Sequence, residues 1–399
     1  MTIQPNTDTK ARSGSIHMAK EEISWIQGLR GIACILVVLT HARYFFLDTP
    51  LWPVADQALL PGAMGVDLFF VISGFIMVYT TTGARAGGGA GEFLVKRFTR
   101  IWPPYAVALL AWVFLLGGGL PAFMAVDSIK AILRSLAFIP VAPHVPLYFN
   151  ASLPVGWTLE FEAYFYLVFA VSMLFRRLRW AALFGWLVYS VIVFPIPRRG
   201  LNLEAVADLG YSFGYANLMT NSMVLEFMAG AIAAAIYLSP LRIRNPRLCW
   251  NLLFLAVSLS LWSVYSFTFN FHGPLKWGAA AFLTVTACAI AGKTVRIALP
   301  QPVLWLGTIS YSLYLTHTIT QQLLLGWFTR HGLDTHNWSF LFLTTTVAIV
   351  VAWVFHELVE VRLCRWFRTA VEWSIGTARA LLPLRGFAPG SAAVRRAPE

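Results

Sequence analysis

The first long apolar stretch of the chain, WIQGLRGIACILVVLTHARYFFL at residues 25–47, carries two ionisable groups: Arg30 near its start and His41 eleven residues on. In a helix that spacing is a rise of about 16 Å. A neutral imidazole at such depth keeps a lone pair free to take a proton, as a general base must, and a histidine bonded to a neighbouring helix would fit the same position. A second group follows in GWTLEFEAYFYL, residues 156–167. There Glu160 and Glu162 stand two apart, about 200° around a helix, so only one of them readily faces a common interior. Glu162 lies about 10 Å into its run, a depth comparable with His41. A carboxylate at that depth suits an imidazole that must be held in one tautomer and stabilised when protonated, the arrangement behind an activated hydroxyl.

Three more stretches carry polar groups within apolar surroundings. EFLVKRFTRIWPPYA, residues 92–106, places Arg97 and Arg100 three apart on one helical face. That is a geometry for forked bonds to phosphate oxygens, and also what a basic inner helix end looks like. GAMGVDLFFVISGF, residues 62–75, combines Asp67 and Ser73 with glycines that permit close helix approach. An acid in such a run is costly enough to require a function or a partner. ISYSLYLTHT, residues 309–318, puts Ser310, Tyr314 and His317 on one stripe with Tyr311 beside it, a polar seam that lines a cavity or bonds across to another helix.

The elements that position these groups are membrane helices. Of the 399 residues, 58% are apolar and 12% charged, which excludes an ordinary soluble domain. Ten runs are long enough to cross hydrocarbon as helices, near residues 25–47, 63–82, 102–119, 155–175, 180–197, 214–238, 250–269, 275–292, 303–328 and 338–361. They lack the alternation of barrel strands, so the fold class is an all-α, polytopic integral membrane bundle of about ten transmembrane helices. Basic residues cluster on alternate connections: Lys96, Arg97 and Arg100; Arg176, Arg177 and Arg179; Arg242, Arg244 and Arg247. By the positive-inside rule both termini are cytoplasmic, N-in and C-in. This distribution, and not nucleic acid, accounts for the net charge of +12.

Three regions follow: a polar cytoplasmic tail over residues 1–22, a transmembrane domain over 23–363, and a basic tail over 364–399. In the last, arginines mix with Trp366, Phe367 and Trp373 as in an interfacial helix, although a plain stop-transfer cluster has the same composition. The first run lacks a cleavage site and reads as an anchor. The glycine-rich stretch at 82–93 lacks the lysine and hydroxyl of a phosphate-binding loop and reads as a flexible connection. The prolines of IPVAPHVPLYFNASLP suit an extended cover on the outer face. Cys34 and Cys288 fall in spans, Cys249 and Cys364 at the inner side, which leaves no disulfide framework and no metal spacing.

Taken in order, these stretches resemble the membrane-bound acyltransferase 3 family over residues 23–363. The motifs are Arg30 with His41, GVDLFFVISGF (65–75), R-x-x-R-I-x-P-x-Y (Arg97, Arg100, Pro103, Tyr105), W-[ST]-L-x-x-E-x-x-F-Y (Trp157, Glu162, Phe165, Tyr166) and LGTISYSLYLTH (306–317). Thr158 stands where serine is more usual. The resemblance implies a bacterial inner-membrane enzyme that transfers an acetyl or short acyl group from acetyl-CoA, or a close acyl analogue, to a hydroxyl of a carbohydrate or lipid-linked glycan. It implies no metal. On that reading Arg30, Arg97 and Arg100 hold the donor's phosphates, and His41 is the base with Glu162 as its orienter. Asp67 and Ser73 join the catalytic set, and Trp157, Ser310, Tyr311, Tyr314 and His317 are candidates for the substrate or the oxyanion. The pantetheine arm, on the order of 15–20 Å at ~1.5 Å per bond, matches the rise from Arg30 to His41. The rival class is a proton-coupled exporter with His41, Asp67 and Glu162 as a relay.

Overall fold

A computed structural model of the protein describes residues 23–82, 89–119, 121, 125–142, 144, 149–266 and 271–381. All regular structure among them is helical: α1 Ser24–Ala42, α2 Trp52–Leu59, α3 Met64–Thr81, α4 Ala90–Leu115, α5 Val126–Leu136, α6 Trp157–Leu174 and α7 Arg179–Val188. After these come α8 Gly214–Thr220, α9 Val224–Leu238, α10 Pro246–Tyr265, α11 Trp277–Ala291, α12 Gln301–Arg330, α13 Trp338–Phe355 and α14 Cys364–Leu381. The expected tail at 1–22 and residues 382–399 lie outside the described residues, as does half of the glycine-rich connection, residues 83–88.

Every expected span is occupied by helix, but the count of ten full crossings is not met by length and composition. Among the described residues seven helical stretches are long and apolar enough to cross a membrane, and the bent pair α8 and α9 makes an eighth if it forms one span. The two shortfalls have different causes. α11 has 15 residues, a rise of about 22 Å against a hydrocarbon core of about 30 Å. α12 is 30 residues long but is diluted by Ser310, Ser312, Thr316, His317, Thr320 and Gln321, all of which it buries against its neighbours. The protein is a multi-pass membrane protein whose polar seam is turned inward.

Capping does little to start these helices. Among the described residues, side-chain caps are seen at α10 and α13, the amide oxygens of Asn245 and Asn337, which accept from Arg247 and Leu248 and from Phe340. Packing and the low-dielectric surroundings stabilise the rest, as expected where every backbone group must be satisfied within the helix. Two close crossings organise the bundle. A Cβ on Gly31 of α1 would meet Val303 O at 2.5 Å, and one on Gly307 of α12 would meet Gln27 O at 2.0 Å. Likewise Gly74 of α3 lies against Phe227 O and Gly230 of α9 against Val71 O, where a Cβ would come to 2.0 and 1.9 Å. Glycine at these positions lets the backbones touch.

The first crossing sets α1 against α12 along their length. Gln27 Nε2 donates to Thr308 Oγ1 (3.0 Å), Cys34 Sγ to Ser310 O (3.2 Å) and Gln321 Nε2 to Val38 O (3.1 Å). Arg30 and His41 are thereby brought beside the polar seam. Tyr311 OH then donates to Ile101 O (2.8 Å), which ties the seam to α4 just beyond Arg100.

The long outer connection is not only extended cover, since α5 is an amphipathic helix of 11 residues within it. Past α13 the helix widens into a π segment, His356–Leu363, and then continues as α14.

Candidate active site

A cavity opens between α1, α3, α4, α6 and α12. Its walls bring together Arg30, Ser73, Arg97, Arg100, Glu162, Ser310, Tyr311 and Tyr314 from the sequence-derived set, with Thr158 and Tyr166 added. The arginines occupy the end where α1 begins and α3 ends: Arg97 Nη2 donates to Thr80 Oγ1 (3.3 Å), in the last turn of α3. Of the two glutamates, Glu162 turns into the cavity. Glu160 is fully buried, and neither of its oxygens has a hydrogen-bond partner among the described residues.

Glu162 is not beside His41, which corrects the expected pairing. Ser73 Oγ donates to Glu162 Oε1 (3.2 Å), and so does the hydroxyl of Tyr166 one turn further along α6. The nearest charges of opposite sign are the guanidiniums of Arg30 and Arg97. The comparable depth expected from counting residues does not bring the two side chains together: α6 carries Glu162 to Ser73 and the arginines, and α1 carries His41 to α12.

The partner of His41 is His317. The two rings meet edge to face with centroids 5.0 Å apart, and His317 Nε2 lies 3.4 Å from His41 Nδ1. Their surroundings fix the tautomers. His317 Nδ1 faces the carbonyls of Leu313 (3.1 Å) and Tyr314 (2.8 Å), so it carries a proton and leaves Nε2 as an acceptor. His41 Nδ1 faces Val37 O (2.9 Å) and that acceptor, so it too is protonated. The lone pair left on His41 is on Nε2. Neither histidine lines the cavity itself. Tyr314 stands between: it is part of the cavity wall, its ring centroid is 6.0 Å from that of His317, and its hydroxyl is held by Thr158 Oγ1 (2.8 Å) and Val155 O (3.1 Å).

Asp67 and Trp157 are also away from the cavity. Asp67 is fully buried and accepts from His272 Nδ1 (2.7 Å) and from the backbone N–H of Gly273 (3.2 Å). The pair fastens the segment before α11 to the first turn of α3, with the buried Glu226 alongside. Trp157 packs edge-on against the His272 ring at 5.8 Å. His272 left no sequence signal because it lies in a polar connection between two runs. Glu360, in the π segment, accepts from Ser312 Oγ (2.7 Å) and His356 Nδ1 (2.9 Å) and adds a second acid near Arg30. The i,i+4 spacing of Glu162 with Tyr166, and of His356 with Glu360, is the signal that would have found these two contacts.

At the arginine end the cavity adjoins a wider vestibule. Arg97 and Arg100 line both, and Lys96, Arg176, Arg179, Arg365 and Arg368 complete its basic wall. No group of three or more metal-ligating side chains occurs among the described residues.

Arginines thus stand at one end of the cavity and a buried histidine pair lies beyond the other, within an apolar membrane bundle. The chain belongs to the acyltransferase 3 family, whose model, described as an acyltransferase domain, matches residues 23–357. It is 33% identical over 265 residues to the exopolysaccharide production protein ExoZ of Rhizobium meliloti (strain 1021), covering 64% of this chain and 76% of that protein. It is 25% identical over 305 residues to the acyltransferase MdmB of Streptomyces mycarofaciens, covering 73% and 77%. It is also 23% identical over 336 residues to the peptidoglycan O-acetyltransferase OatA of Listeria monocytogenes, covering 75% of this chain and 49% of that protein. No solved structure matches the chain.

Proposed function

We propose that this protein is an O-acyltransferase of the bacterial inner membrane, with about ten crossings and both termini in the cytoplasm. It moves an acetyl or short acyl group from an acyl-CoA to a hydroxyl of a carbohydrate in an envelope or exported glycan. The observation that carries this reading is the cavity that runs from three arginines, along Ser73, Glu162 and Tyr311, to Tyr314, with the His41–His317 pair packed behind that ring. Relatives named for exopolysaccharide production and for peptidoglycan O-acetylation support the carbohydrate acceptor. The basic connections all fall on the arginine side, which supports a cytoplasmic donor.

On this reading the donor's phosphates rest on Arg97 and Arg100, with Arg30 deeper in the cavity, and the pantetheine arm runs toward Tyr314. His41 Nε2 takes the proton of the acceptor hydroxyl as its oxygen attacks the thioester carbonyl. His317 accepts from Nδ1–H and steadies the imidazolium. Tyr314 meets the tetrahedral oxyanion by turning its hydroxyl proton from Val155 O to the developing charge. When the C–S bond breaks, the thiolate leaves and takes the proton from His41, so that ester and free thiol are the products.

The test is thiol release by the full-length protein in lipid nanodiscs, supplied with acetyl-CoA and a glycan acceptor. Release that depends on acceptor, and that is abolished by His41→Ala with insertion intact, is expected. An exporter would release no thiol, and a wild-type protein that consumes no acyl-CoA would refute the proposal. Glycan analysis of a deletion strain, looking for the loss of one acetyl mass per repeat, identifies the acceptor.

A further inference from the structure

The vestibule is more basic than topology requires. Lys96, Arg97, Arg100, Arg176, Arg179, Arg365 and Arg368 line it together with the hydroxyls of Thr80, Thr81 and Thr99, and no acidic side chain does. Some of these cations have structural work: Arg179 donates to Thr81 O and Thr82 Oγ1, Lys96 pairs with Glu92, and Arg368 with Glu372. The guanidinium groups of Arg100, Arg176 and Arg365 make no hydrogen bond or ion pair with the described residues. Gathering so many like charges is unfavourable unless an anion joins them.

Two further features point to a built site. Arg176 has a φ of 49°, in the left-handed region where a branched or long side chain is strained and glycine or asparagine is not. A sequence that keeps arginine there gives up local stability for what its guanidinium does. Secondly, Arg365 and Arg368 belong to α14, which begins after the last residue matched by the family model. This helix is seated firmly: the Phe367 ring stacks on Trp102 (centroids 5.8 Å, planes 23° apart) and meets Phe98 at 6.2 Å, while Cys364 Sγ lies 3.8 Å from Arg100 O. The stacking fixes the register of α14 on α4, and residues 365 and 368, three apart, share one helical face turned to the vestibule. Trp366 and Trp373 are exposed, as an interfacial helix would present them.

We infer that the vestibule is the binding site for the nucleotide end of the donor, and that α14 completes it: Arg176, Arg365 and Arg368 recognise the 3′-phosphate of the adenosine moiety. This rests on the acyl-CoA reading above. A phosphate monoester carries about −1.5 to −2 charge at neutral pH and forms strong forked bonds with guanidinium groups. The shared wall of Arg97 and Arg100 puts the diphosphate at the neck, so the adenosine phosphate falls outside it, in the vestibule. A lipid headgroup offers similar chemistry, but it would sit at the rim, whereas this basic wall is continuous with the catalytic cavity.

The experiment measures equilibrium binding of CoA and of dephospho-CoA, which lacks only the 3′-phosphate, to the full-length protein in neutral phosphatidylcholine nanodiscs. Wild type should prefer CoA by ten-fold or more. In Arg365→Ala/Arg368→Ala that preference should fall to below three-fold through weaker CoA binding. The control Arg177→Ala/Arg362→Ala removes the same charge from exposed arginines that do not line the vestibule, and should keep it. Equal binding of the two ligands by wild type would overturn the assignment. So would a loss that affects both ligands equally in the double variant, which would mean that α14 only supports the fold. An effect seen only in nanodiscs containing phosphatidylglycerol would assign the arginines to lipid. A wild-type protein that binds neither ligand would remove the donor reading itself.

Discussion

His317→Phe separates the base from the group that steadies it. The substitution keeps a ring in a site with no solvent exposure; it removes the Nε2 acceptor that faces His41 and the Nδ1–H given to the carbonyls of Leu313 and Tyr314, of which only the first touches the base. That contact is long, at 3.4 Å, while Val37 O remains at 2.9 Å to hold the Nδ1 proton and with it the tautomer. The loss is therefore that of one ordinary hydrogen bond, about 0.5–1.5 kcal/mol, or about a two- to twelve-fold fall in kcat at about 1.4 kcal/mol per decade. His41→Ala removes the base itself and should cost about 10²- to 10⁴-fold. The assay is the initial rate of thiol release in nanodiscs at saturating donor and acceptor, with insertion checked by proteolytic protection. A fall in His317→Phe as large as that in His41→Ala would make His317 the proton acceptor and refute the assignment. No fall in His317→Phe, with Glu162→Gln as damaging as His41→Ala, would restore the carboxylate as the orienter.

Glu162→Gln keeps an oxygen for Ser73 and Tyr166 but removes a negative charge facing the arginines. The Michaelis constant for acyl-CoA should fall by about two- to five-fold, as expected for one partly screened charge near an anion site, measured by donor titration. Gly230→Ala drives a methyl into Val71 O, and should lower stability by about 1–3 kcal/mol or more, read from thermal unfolding followed by tryptophan fluorescence. Asp67→Ala leaves His272 and the Gly273 N–H without their acceptor in a buried site; a loss of about 3–5 kcal/mol and faster proteolytic cleavage near residue 273 are expected. Unchanged melting in either variant would show that the contact it removes does not hold the bundle together.

The elements could be read from the sequence because hydrocarbon imposes a period and a length on any chain that crosses it. Each apolar run became a helix, and the glycines of GVDLFFVISGF became a helix crossing at Gly74. What could not be read was azimuth. Counting residues puts Glu162 and His41 at comparable depths, yet α6 turns its carboxylate toward Ser73 and the arginines, whereas α1 turns His41 toward α12. Which residue faces which neighbour depends on contacts such as Gly31 with Gly307, and these pair residues more than 270 positions apart. Asp67 shows a related limit: an intramembrane acid must have a partner, but the partner, His272, lies in a connection with no pattern of its own.

On the acyl-CoA reading, the distribution of charge along the cavity also decides how the donor would lie in it. At one end Arg30, Arg97 and Arg100 are answered, among the described residues, by Glu162 and Glu360, both of which already accept hydrogen bonds from neutral hydroxyls, and beyond them lies a vestibule lined by further cations. At the other end Tyr314, His317 and His41 form a neutral chain among apolar walls. A long molecule with several phosphates at one end and a thioester at the other has one favourable orientation in such a field. Inverted, it would bring the phosphates to histidines whose Nδ1 protons are already given to carbonyls, and would leave the arginines with an uncharged tail. The same asymmetry keeps the base end free of anions that would compete for its proton. The two ends therefore act together, since removing the cations would cost both affinity and the sense in which the donor enters.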